Sequence, residues 1–272
     1  MHLHYRQMGE GSPLIILHGL YGSSDNWLNI GKKLATSHKV YLLDQRNHGR
    51  SPHSDIHTYP AMRDDLLEFM DREGLEKATL LGHSMGGKTA VYFAVAHPER
   101  LNRLIVVDIA PTGYPQLTES NPQALTHLNI TNALYNLDTS QIQTLKEADQ
   151  ALAESIPYKQ VRQFLLKNLK RDRQTGEFKW LLNVRAIREQ LSAIMDGLDP
   201  DEFNEPDRIT SVPALFIKGE KSPYIQEKHF DDIRKIFPHA RIETVEGAGH
   251  WVHAEKRAEF LKVAGEFLEE NT

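Results

Sequence analysis

Cysteine is missing from all 272 residues. Its absence removes disulfide frameworks, thiolate zinc sites and a cysteine nucleophile together, leaving serine or a carboxylate for covalent chemistry. Long apolar runs are missing too, since no stretch approaches the ~20 residues of a membrane span, so no membrane partner is expected. The start of the chain, Met1 to Glu10, lacks the charged beginning and apolar run of a secretion signal, and the expected compartment is the cytoplasm. Excess positive charge is also lacking. The net charge of −5 favours solubility and gives no field that attracts nucleic acid or anionic lipid. No internal repeat, low-complexity tract or Pro/Ser-rich linker divides the chain.

What remains is ordinary globular composition, 40% hydrophobic and 25% charged, in a length that suits one α/β domain with an insertion. Up to Ile109, short runs rich in Leu, Ile and Val alternate with segments of helical period. Strands are predicted at Leu14 to Leu17, Lys39 to Leu43, Ala78 to Leu81 and Arg103 to Ile109, with helices at Trp27 to Ser37, Ala61 to Glu73 and Met85 to His97. The alternation resumes with a strand at Ala214 to Lys218, a helix at Lys228 to Phe237, a strand at Arg241 to Val245 and a helix at His253 to Leu268. Between Tyr114 and Ile209 no strand run is found, and helical stretches follow one another at Asn121 to Leu137, Thr139 to Ile156, Tyr158 to Arg171 and Val184 to Met195. Asn183 reads as an N-cap, Gly197 as a stop and Gln174-Thr175-Gly176 as a turn. The expected fold class is α/β, a doubly wound and mostly parallel sheet. Residues 1–113 and 210–272 form its core and 114–209 a helical cap.

Immediately after the strand Ala78 to Leu81 stands Gly82-His83-Ser84-Met85-Gly86-Gly87. Gly-x-Ser-x-Gly between a strand and a helix holds a serine in a strained turn, exposing Oγ at the carboxyl edge of the sheet. Ser84 is therefore the candidate nucleophile. The backbone N–H of Met85, at the helix N-terminus, is one candidate oxyanion donor. A second comes from the loop after an earlier strand, His18-Gly19-Leu20-Tyr21-Gly22, where Leu20 N–H has the right position. Of the 14 histidines, His250 in Gly247-Ala248-Gly249-His250-Trp251 follows a strand and precedes the final helix, the place of a general base. Structural hydrogen bonding is the expected role of His83, His48 and His253. Asp44 and Arg46 are expected to fix their loop by hydrogen bonds and an ion pair. His18, Tyr21 and Trp251 are candidate substrate contacts, and Asn26 and Trp27 suit pocket lining and packing equally.

The acid is the harder assignment. After Ala214 to Lys218 a Gly-x-x-Asp is expected, yet the chain reads Gly219-Glu220-Lys221-Ser222. A hydroxyl cannot stabilise an imidazolium as a carboxylate does. Asp108 closes the apolar strand one earlier, at the same sheet edge and between serine and histidine in chain order, and an ionisable group there needs a partner. Asp108 is the leading candidate, with Glu220 the alternative.

The combination of His18-Gly19, Asp44-Gln45-Arg46-Asn47-His48-Gly49-Arg50-Ser51, Gly82-His83-Ser84-Met85-Gly86-Gly87, Asp108-Ile109-Ala110-Pro111 and Gly249-His250 resembles the α/β-hydrolase superfamily over nearly the whole chain. Within it the chain is similar to small bacterial esterases of the YbfF type, related to alpha/beta-hydrolase domain protein 11. The resemblance implies an α/β-hydrolase fold, a carboxylesterase that extends to acyl-CoA thioesters, and an acid after the earlier strand, at Asp108. The 114–209 region carries little of it, so substrate choice does not transfer.

The expected chemistry is acyl transfer to water through an ester of Ser84, with His250 as base and Asp108 orienting it. No metal or organic cofactor is required, and the partner is a small acyl ester or thioester. Serine-triad carbon–carbon hydrolases, menaquinone-pathway lyases and cofactor-free haloperoxidases remain alternatives, as does a ligand-binding relative without turnover. Dehalogenases and epoxide hydrolases place a carboxylate where Ser84 stands. The sequence leaves oligomeric state open.

Overall fold

The computed structural model describes residues 1–114 and 122–270. Its main sheet has seven strands in the order β1-β3-β2-β4-β5-β8-β9. They are β1 (Tyr5–Met8), β2 (Ser12–Leu17), β3 (His38–Leu43), β4 (Ala78–His83), β5 (Leu101–Val107), β8 (Ala214–Gly219) and β9 (Arg241–Val245). All pairs are parallel except β1 with β3. The central strands are buried on both faces, which is why they read as continuous Leu, Ile and Val runs rather than alternating ones. The edge strand β1, YRQM, has no such run, so periodicity missed it.

Helices cover both faces: α1 (Leu28–Leu34), α2 (Tyr59–Arg72), α3 (Met85–Ala96), α9 (Phe230–Ile236), α10 (Val252–Glu255) and α11 (Arg257–Glu269). One core layer gathers Phe69, Phe93, Phe216 and Phe237, the other Trp27, Phe260 and Phe267. Between β5 and β8 stand α4 (Pro122–Asn136), α5 (Leu145–Leu152), α6 (Lys159–Leu165), α7 (Val184–Glu189) and α8 (Leu191–Met195). A third apolar cluster joins them to Tyr59, Met62 and Met85 beneath.

The insertion departs from its expected all-helical texture. Strands β6 (Leu169–Arg171) and β7 (Phe178–Trp180) pair antiparallel around the turn at Gln174 to Gly176. That turn is built as read, with Asp172 accepting from the N–H of Gln174 at 2.8 Å and Gly176 at φ 76°. Three-residue strands lie below what periodicity resolves. Asn183 caps α7 by accepting from Ala186 N–H at 3.2 Å, but the helix breaks at Gln190 before α8. The expected start of the first insertion helix, Asn121, lies outside the described residues. Strand β5 ends at Val107, short of the predicted Ile109, because Asp108 turns to φ 53°.

Sheet order places the site. The chain runs from β2 outward to β3 and then crosses back to β4 on the other side of β2, so the carboxyl ends of β2 and β4 border the crevice where ligands of open α/β sheets bind. Register sets Leu17 beside Gly82 and His83 beside Val107, bringing the loop after β2, the turn after β4 and the end of β5 to one edge.

Candidate active site

Ser84 sits between β4 and α3 with φ 53° and ψ −120°, a left-handed backbone that L side chains avoid. Its neighbours hold it there. Ser84 N–H donates to Val107 O at 3.0 Å, and Ser84 O accepts from Lys88 N–H at 3.0 Å. The flanking residues can only be glycine: a Cβ on Gly82 would meet Gly86 O at 2.2 Å, and one on Gly86 would meet Leu17 O at 2.4 Å. Strand and helix therefore approach closely enough to present the serine at the sheet edge.

One strand over, the fully buried Asp108 uses both carboxylate oxygens. Oδ1 accepts from Gly219 N–H at 2.9 Å; Oδ2 accepts from the Ser222 hydroxyl and lies 2.8 Å from His250 Nδ1. A carboxylate on Nδ1 fixes the imidazole tautomer with Nε2 as proton acceptor. The Tyr224 ring stacks on His250 with centroids 4.1 Å apart, and His83 Nε2 donates to the His250 carbonyl at 2.9 Å. Burial pushes the His83 imidazole well below its usual value, so His83 holds the base loop as a neutral ring. Glu220 is turned elsewhere, accepting from Gly247 N–H at 2.8 Å.

The two oxyanion candidates border a small space together with Ser84. Among the described residues neither the Leu20 nor the Met85 backbone N–H has a protein acceptor. Their loop is rigidly braced. His18 Nε2 accepts from Gln45 N–H at 3.0 Å and its Nδ1 lies 2.8 Å from Gly19 O. Burial lowers the pKa of His18, which keeps it neutral in this role. Asp44 accepts from Ser24 N–H at 2.6 Å and Arg50 N–H at 3.0 Å, while Arg46 forks onto Asp65 of α2 at 2.6 and 2.8 Å. His48 Nε2 accepts from Tyr21 N–H at 3.2 Å.

A largely apolar cavity of about 310 Å³ opens over Ser84 and His250, and His18, Leu20, Tyr21 and Trp251 line it as well. Trp27 and His253 also line it, their rings stacked with centroids 4.0 Å apart, and Asn26 joins the lining while holding Ser23 N–H at 2.8 Å. Tyr21 is tied to the insertion, its hydroxyl 2.7 Å from Thr131 Oγ1 and 3.3 Å from His127 O, and its carbonyl accepting from Asn168 at 2.7 Å. Sequence reasoning missed the insertion's share of the wall: His127, Ile130, Val161, Phe164 and Leu165, together with Tyr224. No motif marks them, because which face of each short helix points inward depends on packing. Among the described residues no group of three or more His, Asp or Glu could hold a metal.

A family model described as "alpha/beta hydrolase fold" matches residues 12–257. The chain is 40% identical over 262 residues to the sn-1-specific diacylglycerol lipase ABHD11 of Xenopus laevis, covering 95% of this chain and 80% of that protein. Esterase YbfF of Escherichia coli is 35% identical over 259 residues, covering 95% and 94% respectively. Among solved structures, a marine microorganism esterase superposes with a TM-score of 0.91 at 45% identity, covering 97% of this chain and 98% of its own.

Proposed function

The chain belongs to the alpha/beta hydrolase fold family, and from that premise we propose that it is a serine hydrolase cleaving carboxylic esters of short to medium acyl chain. Esterase and lipase relatives over nearly the full length support ester hydrolysis as the broad activity. The observation that carries the mechanism is the 2.8 Å approach of Asp108 Oδ2 to His250 Nδ1 in the crevice that also holds Ser84. In this reading His250 Nε2 takes the Ser84 proton as Oγ attacks the acyl carbonyl. The N–H groups of Leu20 and Met85 hold the tetrahedral oxyanion. The imidazolium, stabilised by Asp108, returns its proton to the departing alcohol, and water then releases the acid by the same steps in reverse order.

Acyl-CoA thioesters follow the same course, because attack at a thioester carbonyl asks for no additional group. Residues 114–209 act as the cap and 1–113 with 210–272 as the catalytic core. Among the described residues no helix is long and apolar enough to cross a membrane; the cytoplasm is the proposed compartment. Hydrolysis of p-nitrophenyl esters from acetate to palmitate tests the reading. Wild type should turn over the shorter members and Ser84→Ala none; an inactive wild type, or fluorophosphonate labelling that persists in Ser84→Ala, would overturn it.

A further inference from the structure

The carbon of a tetrahedral intermediate on Ser84 carries four groups. One is Ser84 Oγ, and a second is the oxyanion, held by the N–H groups of Leu20 and Met85. The third is the leaving oxygen, which must lie within reach of His250 to receive its proton. The acyl chain takes the direction that remains. Two cavities meet at Ser84, one of about 310 Å³ and an inner one of about 20 Å³. Of these two, His250 lines the larger alone and Met85 the inner alone, while Ser84 and Leu20 border both. The alcohol therefore lies in the larger cavity, and the acyl chain, directed away from His250, faces the inner one.

The inner space holds a group about the size of one water. That is the scale of a single methyl and too little for a longer chain. Its wall is also braced against widening, because three consecutive carbonyls at the end of α8 are taken by groups outside that helix. Ile194 O accepts from the Tyr59 hydroxyl at 2.8 Å, Met195 O from Tyr114 N–H at 2.6 Å, and Asp196 O from Lys88 Nζ. These bonds hold the buried side chains of Ile194 and Met195 in one apolar cluster with Leu20, Tyr59 and Met85. Forcing further methylenes into so closed a wall drives side chains off their rotamers. The larger cavity is largely apolar and reaches the size, from about 300 Å³ upward, that takes a whole small ligand.

We propose that the inner cavity is the acyl subsite and admits an acetyl group in preference to longer chains, so that acetate esters of large apolar alcohols are the preferred substrates. This rests on the reading of Ser84 as the acyl-carrying nucleophile and narrows its range of acyl chains to the shortest. Ser84 Oγ bonds to the acetyl carbon as the bond from that carbon to the alcohol oxygen breaks. The alcohol departs through the larger cavity with the proton that Ser84 gave to His250. Water then takes the acetyl group, acetate leaves and Ser84 regains a proton, so no other reactant is needed. Ile194 and Met195, on the insertion, set the chain length.

The test measures kcat/KM for benzyl acetate, propionate, butyrate and hexanoate, each divided by the rate of the same ester in alkali to remove intrinsic reactivity. Benzyl alcohol needs a proton to leave, which holds its oxygen at His250. Wild type should lose about tenfold or more between acetate and butyrate, the effect of methylenes a pocket cannot take, and should prefer benzyl acetate to methyl acetate by a similar factor. Ile194→Ala opens the inner wall, so its ratio of butyrate to acetate should rise about tenfold or more while its ratio of benzyl to methyl acetate stays as in wild type. Should that variant fail to fold, Met195→Ala asks the same question and the wild-type series decides by itself. A kcat/KM that is level or rising from acetate to hexanoate puts the acyl chain in the larger cavity and overturns the subsite, with the hydrolase reading intact. An unchanged ratio of butyrate to acetate in both folded variants does the same. If none of these esters is hydrolysed and mass spectrometry finds no acetyl group on Ser84, the hydrolase reading itself is overturned and the subsite goes with it.

Discussion

The hydroxyl of Ser222 donates to the same Asp108 oxygen, Oδ2, that lies 2.8 Å from His250 Nδ1. The position where the sequence pattern led one to expect the acid thus abuts the carboxylate proposed in its place. Asp108→Asn should lower kcat by orders of magnitude, about 10⁴-fold where a triad acid is replaced by its amide. Moving the carboxylate across this contact, with Asp108→Asn and Ser222→Asp together, should recover at least about tenfold over the single variant, a recovery equal to one charge-assisted hydrogen bond. Steady-state ester hydrolysis reads both, and full activity in Asp108→Asn would refute the assignment.

Glu220 supplies the matching control. Its carboxylate accepts from Gly247 N–H at 2.8 Å, a bond that a glutamine amide oxygen can also accept. Glu220→Gln is expected to keep kcat/KM within a few-fold of wild type, since surface substitutions typically change energies by about 0.5 kcal/mol or less. Loss of orders of magnitude in the same assay would transfer the acid's role to Glu220.

Legibility followed the physics of each element. Strands β2, β4, β5 and β8 are buried on both faces and announce themselves as apolar runs, whereas β1 and the β6/β7 hairpin are short and half-exposed. The turn at Ser84 was readable because glycine is forced at positions 82 and 86 by backbone contact. Asp108 was reached from sequence through its odd place at the end of an apolar strand, its position between serine and histidine in chain order, and the family resemblance. The link from Ser222 to its carboxylate spans 114 residues of separation and leaves no local trace. Phe164 and His127 are similar cases, because their inward direction comes from how α4 and α6 pack.

The loop after β3 makes a stability prediction. Arg46 and Asp65 are 8% and 3% exposed and meet through two parallel hydrogen bonds at 2.6 and 2.8 Å. Removing one member of a buried pair leaves the other charge in a low-dielectric site, which costs about 3–5 kcal/mol. Asp65 keeps another cation, the Met1 ammonium 3.3 Å from its Oδ1, so Arg46→Ala should shift urea unfolding toward the low end of that range, and a shift under about 1 kcal/mol would mean that this ammonium or water compensates Asp65.

Buried histidines should make the fold sensitive to acid. Burial holds His57 and His253 down to about 3 and His127 down to about 4, while nearby Arg46 lowers His57 further. In the unfolded chain the same rings take up protons near pH 6.5. Between these limits the unfolded state binds more protons, so stability is fully present above about pH 6.5 and is lost as pH falls toward the folded values. Among the described residues, neither ring nitrogen of His57 has a hydrogen-bond partner, so His57→Leu removes a titrating group without leaving a polar atom unpaired. Below the unfolded value each such histidine contributes about 1.4 kcal/mol per pH unit to the slope of stability against pH. Urea unfolding of wild type and His57→Leu at pH 7.5 and 5.0 should show a smaller acid loss in the variant, by about 2 kcal/mol. Equal losses would mean that His57 is protonated within the fold, and its burial would then require an acceptor that forms only on acidification.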